Sequence, residues 1–290
     1  MVTIIIIVFI SIYIIANVAA YFLQERVLFK PEKLPKDFKF NYPNQDYQEH
    51  TVHIGDDARI NCAHFSVEKP KGVVLYLKGN SRSIKGWGKF AVDFTRLGFD
   101  VIMLDYRGFG KSVGRRSEKN IKDDLQIVYD VIKERVEEKY IIIYGRSMGS
   151  GFAAKLASMN NPRMVIMESP YYSMTKMAKR YLPIMTASLI LKYPLRTYKW
   201  IKYIKCPIKI IHGTNDKLIP FKYGMALSEI NPTITRLYPV IGGGHNDLFT
   251  HEEYHRMLEE IVKSKEIVHI NKGETSISFV KPKKKKRKVL

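Results

Sequence analysis

Acyl transfer by serine needs three groups: a nucleophile, a base to take its proton, and an acid to orient that base. In this chain of 290 residues Ser147 stands at the centre of Gly145-Arg146-Ser147-Met148-Gly149. A β-branched run, Tyr140-Ile141-Ile142-Ile143-Tyr144, climbs into that pentapeptide, and small residues open a helical stretch over 152–157. Strand, one strained turn carrying serine, then helix is the form of a nucleophile elbow. The flanking glycines answer a steric need, because the turn brings its neighbours too close for side chains. Two later loops supply the partners. Ile210-Ile211-His212-Gly213-Thr214-Asn215-Asp216 is an apolar strand ending in a carboxylate, and Gly242-Gly243-Gly244-His245-Asn246-Asp247 presents a histidine. Ser147, Asp216 and His245 are therefore the expected catalytic residues, with Glu168 as the alternative acid.

Negative charge on the attacked carbonyl needs backbone N–H donors. One is expected from Met148, directly after the nucleophile. The other is expected from Asn80, in Lys78-Gly79-Asn80-Ser81 after the first long parallel strand. His251-Glu252-Glu253-Tyr254-His255 matches the His-Glu-x-x-His zinc signature. It falls where a last surface helix should lie and has no evident third ligand, so no metal is expected. Cys62 and Cys206 form neither a disulfide framework nor a metal-ligand spacing.

The elements that must position these residues alternate. Antiparallel strands are expected at 50–54 and 59–65, turning at Gly55-Asp56-Asp57. Buried strands follow at 73–77, 101–104, 164–167, 208–211 and 234–238. Helices are expected at 87–97 and 118–137, the second capped by Ser117. Strands separated by helices imply an α/β fold with a mostly parallel central sheet flanked by helices. About forty residues rich in Tyr, Met and Lys (169–206) read as a small cap insertion. There Tyr171, Tyr172, Met174, Met177, Tyr181, Leu182, Met185, Leu189 and Leu191 are candidates to line an apolar acyl slot, or else to pack the cap on its own domain.

Residues 2–23 form a nearly unbroken apolar run of the length one membrane span needs. An uncleaved N-terminal transmembrane helix is expected. A signal peptide cleaved near Val18 and Ala20 is the competing reading. Arg26, Lys30, Lys33, Lys36 and Lys39 flank its C-terminal end, which leans the catalytic domain to the cytoplasmic side. The formal charge is +20, and seven of those charges crowd into 281–288, leaving about +13 for the rest. Such a surplus favours an anionic surface, membrane or nucleic acid. Within the tail at 264–290, the basic run 281–288 looks like a nuclear import signal, at odds with an anchor, so contact with lipid is expected and nucleic-acid binding is not. The expected organisation is an anchor at 1–23, a linker at 24–48, a catalytic domain at 49–263 and a disordered basic tail.

Gly79-Asn80, the run from Asp105-Tyr106-Arg107-Gly108 to Ser112, the serine pentapeptide, His212-Gly213-Thr214-Asn215-Asp216 and His245-Asn246-Asp247 together resemble the α/β-hydrolase superfamily. The resemblance is to its serine-aminopeptidase-like, membrane-tethered branch, which includes protein depalmitoylases, and it runs over about 72–262. It implies a serine hydrolase acting on a small-molecule or lipid-like acyl ester or thioester, with no cofactor. It also implies that the Tyr106-Arg107-Gly108 loop flanks the site and positions its walls, so Tyr106 and Arg107, with Tyr171 and Tyr172 of the cap, are the expected substrate-binding residues. That branch often has His-Gly-Asn where this chain has Lys78-Gly79-Asn80, which puts a lysine at the mouth of the site. The alternatives are an aminopeptidase-like amidase with the same triad and a non-catalytic binding protein on the same fold. Oligomeric state is not legible.

Overall fold

The computed structural model describes residues 1–264. In chain order its elements are α1 (Val2–Leu28), β1 (Tyr47–Ile54), β2 (Ala58–Phe65), β3 (Val73–Leu77), α2 (Ile84–Trp87), α3 (Val92–Thr95), β4 (Asp100–Leu104), α4 (Glu118–Lys133), β5 (Ile141–Arg146) and α5 (Met148–Ala157). They continue with β6 (Met164–Glu168), α6 (Met174–Tyr181), α7 (Ala187–Ile190), α8 (Thr197–Ile201), β7 (Ile208–Gly213), α9 (Lys222–Ser228), β8 (Thr235–Val240) and α10 (Glu252–Lys263). The strands form one sheet in the order β1-β2-β4-β3-β5-β6-β7-β8. β1–β2 and β2–β4 are antiparallel, and every later pair is parallel.

The apolar runs explain the layering. Alternate residues of a strand point to opposite faces, so Val73, Leu75 and Leu77 join one core cluster while Val74 and Tyr76 join the other. Ile141 and Ile143 against Ile142 and Tyr144 repeat the division on β5. With both faces covered, the parallel strands need no polar side, and β3, β4, β5 and β6 are buried at every position.

Several boundaries differ from expectation. α1 runs to Leu28 rather than stopping at 23, and the chain turns extended at Phe29, two residues before Pro31, a residue that disfavours helix in front of it. Residues 30–46 then cross the domain in irregular form, pairing Lys30 with Ser81 and Lys33 with Gly110. The helix expected over 87–97 is three short turns, α2, a 3-10 turn at Gly88–Ala91, and α3. The break falls where the Tyr42 ring presses on Gly88 so closely that an added Cβ would lie 2.2 Å from it. α4 ends at Lys133, and a 3-10 turn at Glu138–Tyr140 leads into β5. Ser117 caps α4 as expected, its side chain accepting from Asn120 N. Among the described residues α1 is the one helix long and apolar enough to cross a membrane, with a mean hydropathy of 2.7 over 18 of its residues. The basic tail, from residue 265 on, lies outside the described residues.

Candidate active site

β5 delivers Ser147 at the C-terminal edge of the sheet, and the turn there is strained. Ser147 has φ 52° and ψ −118°, a region a side chain rarely occupies and one that clusters at functional sites. Its backbone N–H donates to Glu168 O on the neighbouring strand at 2.9 Å. α5 starts immediately and packs hard on the sheet. A Cβ on Gly149 would stand 2.0 Å from the Leu77 carbonyl oxygen, so glycine there is what lets the helix approach β3.

Asp216 and His245 arrive on the loops after β7 and β8, and those loops are laced together. Thr214 N donates to Val240 O at 3.0 Å and Asn215 N to Gly243 O at 2.9 Å. Gly213 permits the contact, since a Cβ there would meet Gly243 O at 2.2 Å. The consequence is a chain of short contacts. His245 Nε2 lies 3.0 Å from Ser147 Oγ, and His245 Nδ1 lies 2.8 Å from Asp216 Oδ2. The other carboxylate oxygen accepts from Leu218 N at 2.9 Å and Ile219 N at 2.7 Å. Burial opposes ionisation of Asp216. The hydrogen bonds of His212 and His245, the charge of His245 and the Ile219 amide outweigh it, holding the carboxyl well below its usual range.

His212 is the neighbour that sequence reasoning quoted but gave no role. Fully buried, its Nε2 lies 2.8 Å from Ile219 O and 3.3 Å from Asp216 Oδ2, so it braces the acid from behind. Its position four residues before Asp216 was visible; which way the ring would turn was not. Glu168, the alternative acid, is engaged elsewhere. Arg146 Nε lies 2.8 Å from its Oε1, and the Tyr144 and Tyr254 hydroxyls both donate to its Oε2. His251 precedes α10 instead of lying on it, and His255 accepts from Arg96 and donates to Phe249 O. No group of three or more His, Cys, Asp or Glu among the described residues is placed to hold a metal.

Asn80 and Met148 both border the cavity above Ser147, and Met148 is the first residue of α5, where backbone N–H groups lack intrahelical acceptors. The Asn80 side chain donates to Leu28 O at 2.6 Å, and Lys30 N donates to Asn80 O at 2.9 Å. The end of α1 is thus pinned to the loop beside the serine. Lys78 corrects an expectation. It is fully buried and points away from the mouth, with Nζ 3.5 Å from Asp105 Oδ1 and 3.8 Å from the centre of the Phe109 ring. Burial lowers the lysine to about 8 and raises Asp105 to about 6, each partly offset by the other's charge.

The cavity holds about 370 Å³, within the roughly 300–1,000 Å³ of ligand pockets. The cap gives it Met174, Met177, Tyr181, Leu182, Met185 and Leu191, all expected lining residues. The four residues expected to bind substrate do not line it. Tyr106 is buried and donates to Lys78 O at 2.9 Å. Arg107 makes a two-pronged bond to Asp124 at 2.6 Å and faces a different, basic cleft. Tyr171 is buried beneath the elbow, donating to Met148 O at 3.1 Å. Tyr172 stacks on Tyr198 with ring centres 4.8 Å apart. A tyrosine hydroxyl under a core finds a backbone acceptor more readily than it faces an apolar slot. Leu189, 82% exposed, does not line the cavity either.

One wall was not anticipated. Ala20, Leu23, Gln24, Val27 and Leu28 of α1 line the cavity together with the cap residues. Their spacing of three and four is one helix face, hidden in the sequence because the whole run is apolar.

Comparison with known proteins follows the same lines. A family model described as Serine aminopeptidase, S33 matches residues 68–203. The chain is 30% identical over 205 residues to the α/β-hydrolase domain-containing protein aho-3 of Caenorhabditis elegans, covering 65% of this chain and 57% of that one. It is 30% identical over 192 residues to α/β-hydrolase domain-containing protein 17C of Xenopus tropicalis (65% and 61%). It is 28% identical over 233 residues to the lysophosphatidylserine lipase ABHD12 of Danio rerio (68% and 61%). The chain thus spans about three fifths of the length of these relatives. Among solved structures, the Pyrococcus furiosus esterase Pf2001 superposes with a TM-score of 0.65 at 18% identity, covering 81% of this chain and 97% of that one. Est1E of Butyrivibrio proteoclasticus, solved with ferulic acid, gives 0.61 at 19% identity, covering 74% and 100%. Both are likenesses of fold.

Proposed function

We propose, for a chain that belongs to the α/β-hydrolase superfamily, that it is a membrane-anchored serine hydrolase cleaving acyl esters or thioesters. The observation that carries the reading is the Ser147–His245–Asp216 relay opening onto an apolar cavity. In this reading His245 Nε2 takes the Ser147 proton as Oγ forms a bond to the acyl carbonyl carbon. The electron pair displaced onto oxygen meets the N–H groups of Asn80 and Met148. Collapse re-forms the carbonyl and breaks the bond to the alcohol or thiol, which leaves with the proton from His245. Water, deprotonated by the same imidazole, then releases the acid and frees the serine. Asp216 stays ionised throughout and holds the Nδ1–H tautomer.

The cavity lining favours an acyl chain over a peptide N-terminus. Among its residues none is Asp or Glu, and an aminopeptidase needs a carboxylate to receive the substrate's ammonium. α1 supports the anchor, with the domain on the cytoplasmic side through the basic residues that follow it. Fluorophosphonate labelling tests the reading. Wild type should label, and Ser147→Ala and His245→Ala should not. A panel of matched oxygen ester, thioester and amide then fixes the leaving group. A folded wild type that neither labels nor turns over any of the three would make this a binding protein on a hydrolase fold.

A further inference from the structure

α1 is apolar almost throughout, yet Tyr13, Asn17 and Gln24 recur at spacings of four and seven, which places them on one helix face. Each bonds the cap. Tyr13 Oη is hydrogen-bonded to Thr186 Oγ1, and Thr186 N donates to Asn17 Oδ1 at 3.0 Å. Gln24 donates to Ile190 O at 3.0 Å and accepts from Lys192 N at 2.7 Å. Polar groups inside a bilayer require internal partners of this kind.

The same bonds set a depth. Tyr13 stands twelve residues before Glu25, the first charge along the helix. At about 1.5 Å per residue that is about 18 Å, more than half of a hydrocarbon core of about 30 Å. Thr186, bonded to Tyr13, shares that depth wherever α1 spans a membrane. The cap's composition fits such a position. Residues 182–191, Leu-Pro-Ile-Met-Thr-Ala-Ser-Leu-Ile-Leu, carry no charge, and Lys179, Arg180 and Lys192 flank them as cations flank membrane-inserted segments. Ile184 is 78% exposed and Leu189 82%. The α1 wall is also open to the outside, since Leu23 and Val27 line the cavity while 47% and 73% exposed.

We propose that residues 182–191 lie immersed in the bilayer beside α1, and that the cavity receives its acyl chain sideways from the leaflet. The substrate is then a long acyl group already resident in the membrane. This rests on the reading of α1 as a membrane anchor. Water delivers such a chain poorly, because every methylene must first leave the bilayer. Entry past the exposed Leu23 and Val27 removes that step.

The test uses the full chain in phosphatidylcholine vesicles. A fluorophore on Ile184→Cys should be quenched by lipids brominated in their acyl chains and not by aqueous iodide, while one on Tyr203→Cys, 68% exposed just after α8, should respond to iodide. Cys62 and Cys206 are buried and should not label. In parallel, Ile184→Asp combined with Leu189→Asp should lose at least about tenfold on 4-methylumbelliferyl palmitate held in the vesicles, with solution hydrolysis of the acetate ester unchanged. Charge at that depth is costly in lipid and harmless in water. Iodide quenching at Ile184 in a chain that floats with the vesicles overturns the proposal, as does an unchanged rate on the palmitate. A chain that does not float overturns the anchor reading and this proposal together. A wild type inert on both esters overturns the hydrolase reading alone, and the quenching experiment still decides immersion.

Discussion

If α1 forms a wall of the acyl cavity, a side chain enlarged on that wall should shorten the acyl chain the enzyme accepts. Ala20 is the position to enlarge, because it is small, lines the cavity and lies within α1, and leucine is a good helix former. Ala20→Leu adds three carbons to a space of about 370 Å³ and displaces up to three methylenes of a chain that fills it. At about 0.8 kcal/mol for each buried methylene, the loss is about 2.4 kcal/mol. That corresponds to about 50-fold in kcat/KM, at roughly 1.4 kcal/mol per factor of ten. The loss should fall on palmitoyl esters and vanish for acetyl esters, which carry no chain beyond the carbonyl and one methyl to extend along the α1 wall. The assay is kcat/KM across an acyl series from acetyl to palmitoyl at constant leaving group, wild type beside variant. A variant equally slow on every chain length would refute the reasoning, because the effect would then lie in folding or in the elbow. A variant with the wild-type profile would show that α1 does not bound the acyl chain at all.

Other consequences follow from the same geometry. Asp216→Asn should lower kcat by about 10⁴-fold at neutral pH, because the amide stabilises the wrong imidazole tautomer. Asp216 is also held below its usual range, so its contribution to stability is complete above the unfolded value of about 3.9 and is lost as pH falls towards the folded one. The stability gap between wild type and Asp216→Asn in urea titrations should therefore narrow on acidification, and a gap constant with pH would count against the bracing of this carboxylate. Gly149→Ala should destabilise the fold by about 1–3 kcal/mol by driving a Cβ against the Leu77 carbonyl, and an unshifted melting temperature would show that the elbow relaxes freely. Lys78→Met leaves the Asp105 carboxyl buried without its cation and should cost about 3–5 kcal/mol, with Lys78→Met/Asp105→Asn recovering much of it in the same thermal assay. Acyl preference in the double variant should stay that of wild type, since Lys78 does not reach the mouth.

The candidate triad was legible in residue types and order. Gly145-Arg146-Ser147-Met148-Gly149 after an apolar strand can form few structures other than a strained strand-to-helix turn, because its constraints are local and steric. Asp216 and His245 were legible because each ends an apolar run on a loop and because the chain order of the three is restrictive. The parallel sheet followed from strands apolar at every position, as Val73–Leu77 and Ile141–Ile143 are. The substrate wall was a different matter. Tyr106, Arg107, Tyr171 and Tyr172 looked like walls because tyrosine and arginine have chemistry to offer. The folded chain instead uses the Tyr106 and Tyr171 hydroxyls to satisfy buried carbonyls and Arg107 to neutralise Asp124. Lys78 was misplaced for the same reason, since only the buried carboxylate of Asp105 explains why a cation turns inward.

What the sequence by itself determined, then, is what depends on neighbours in the chain: the elbow, the strand periodicity, the cap of α4 at Ser117, and a first helix apolar enough for a membrane. What only the tertiary structure decided is which distant surfaces share a space. An apolar run of 2–23 has no distinguished face until something packs on it. The cap supplies that face by bonding Tyr13, Asn17 and Gln24, and this makes Ala20, Leu23 and Val27 one side of the cavity above Ser147.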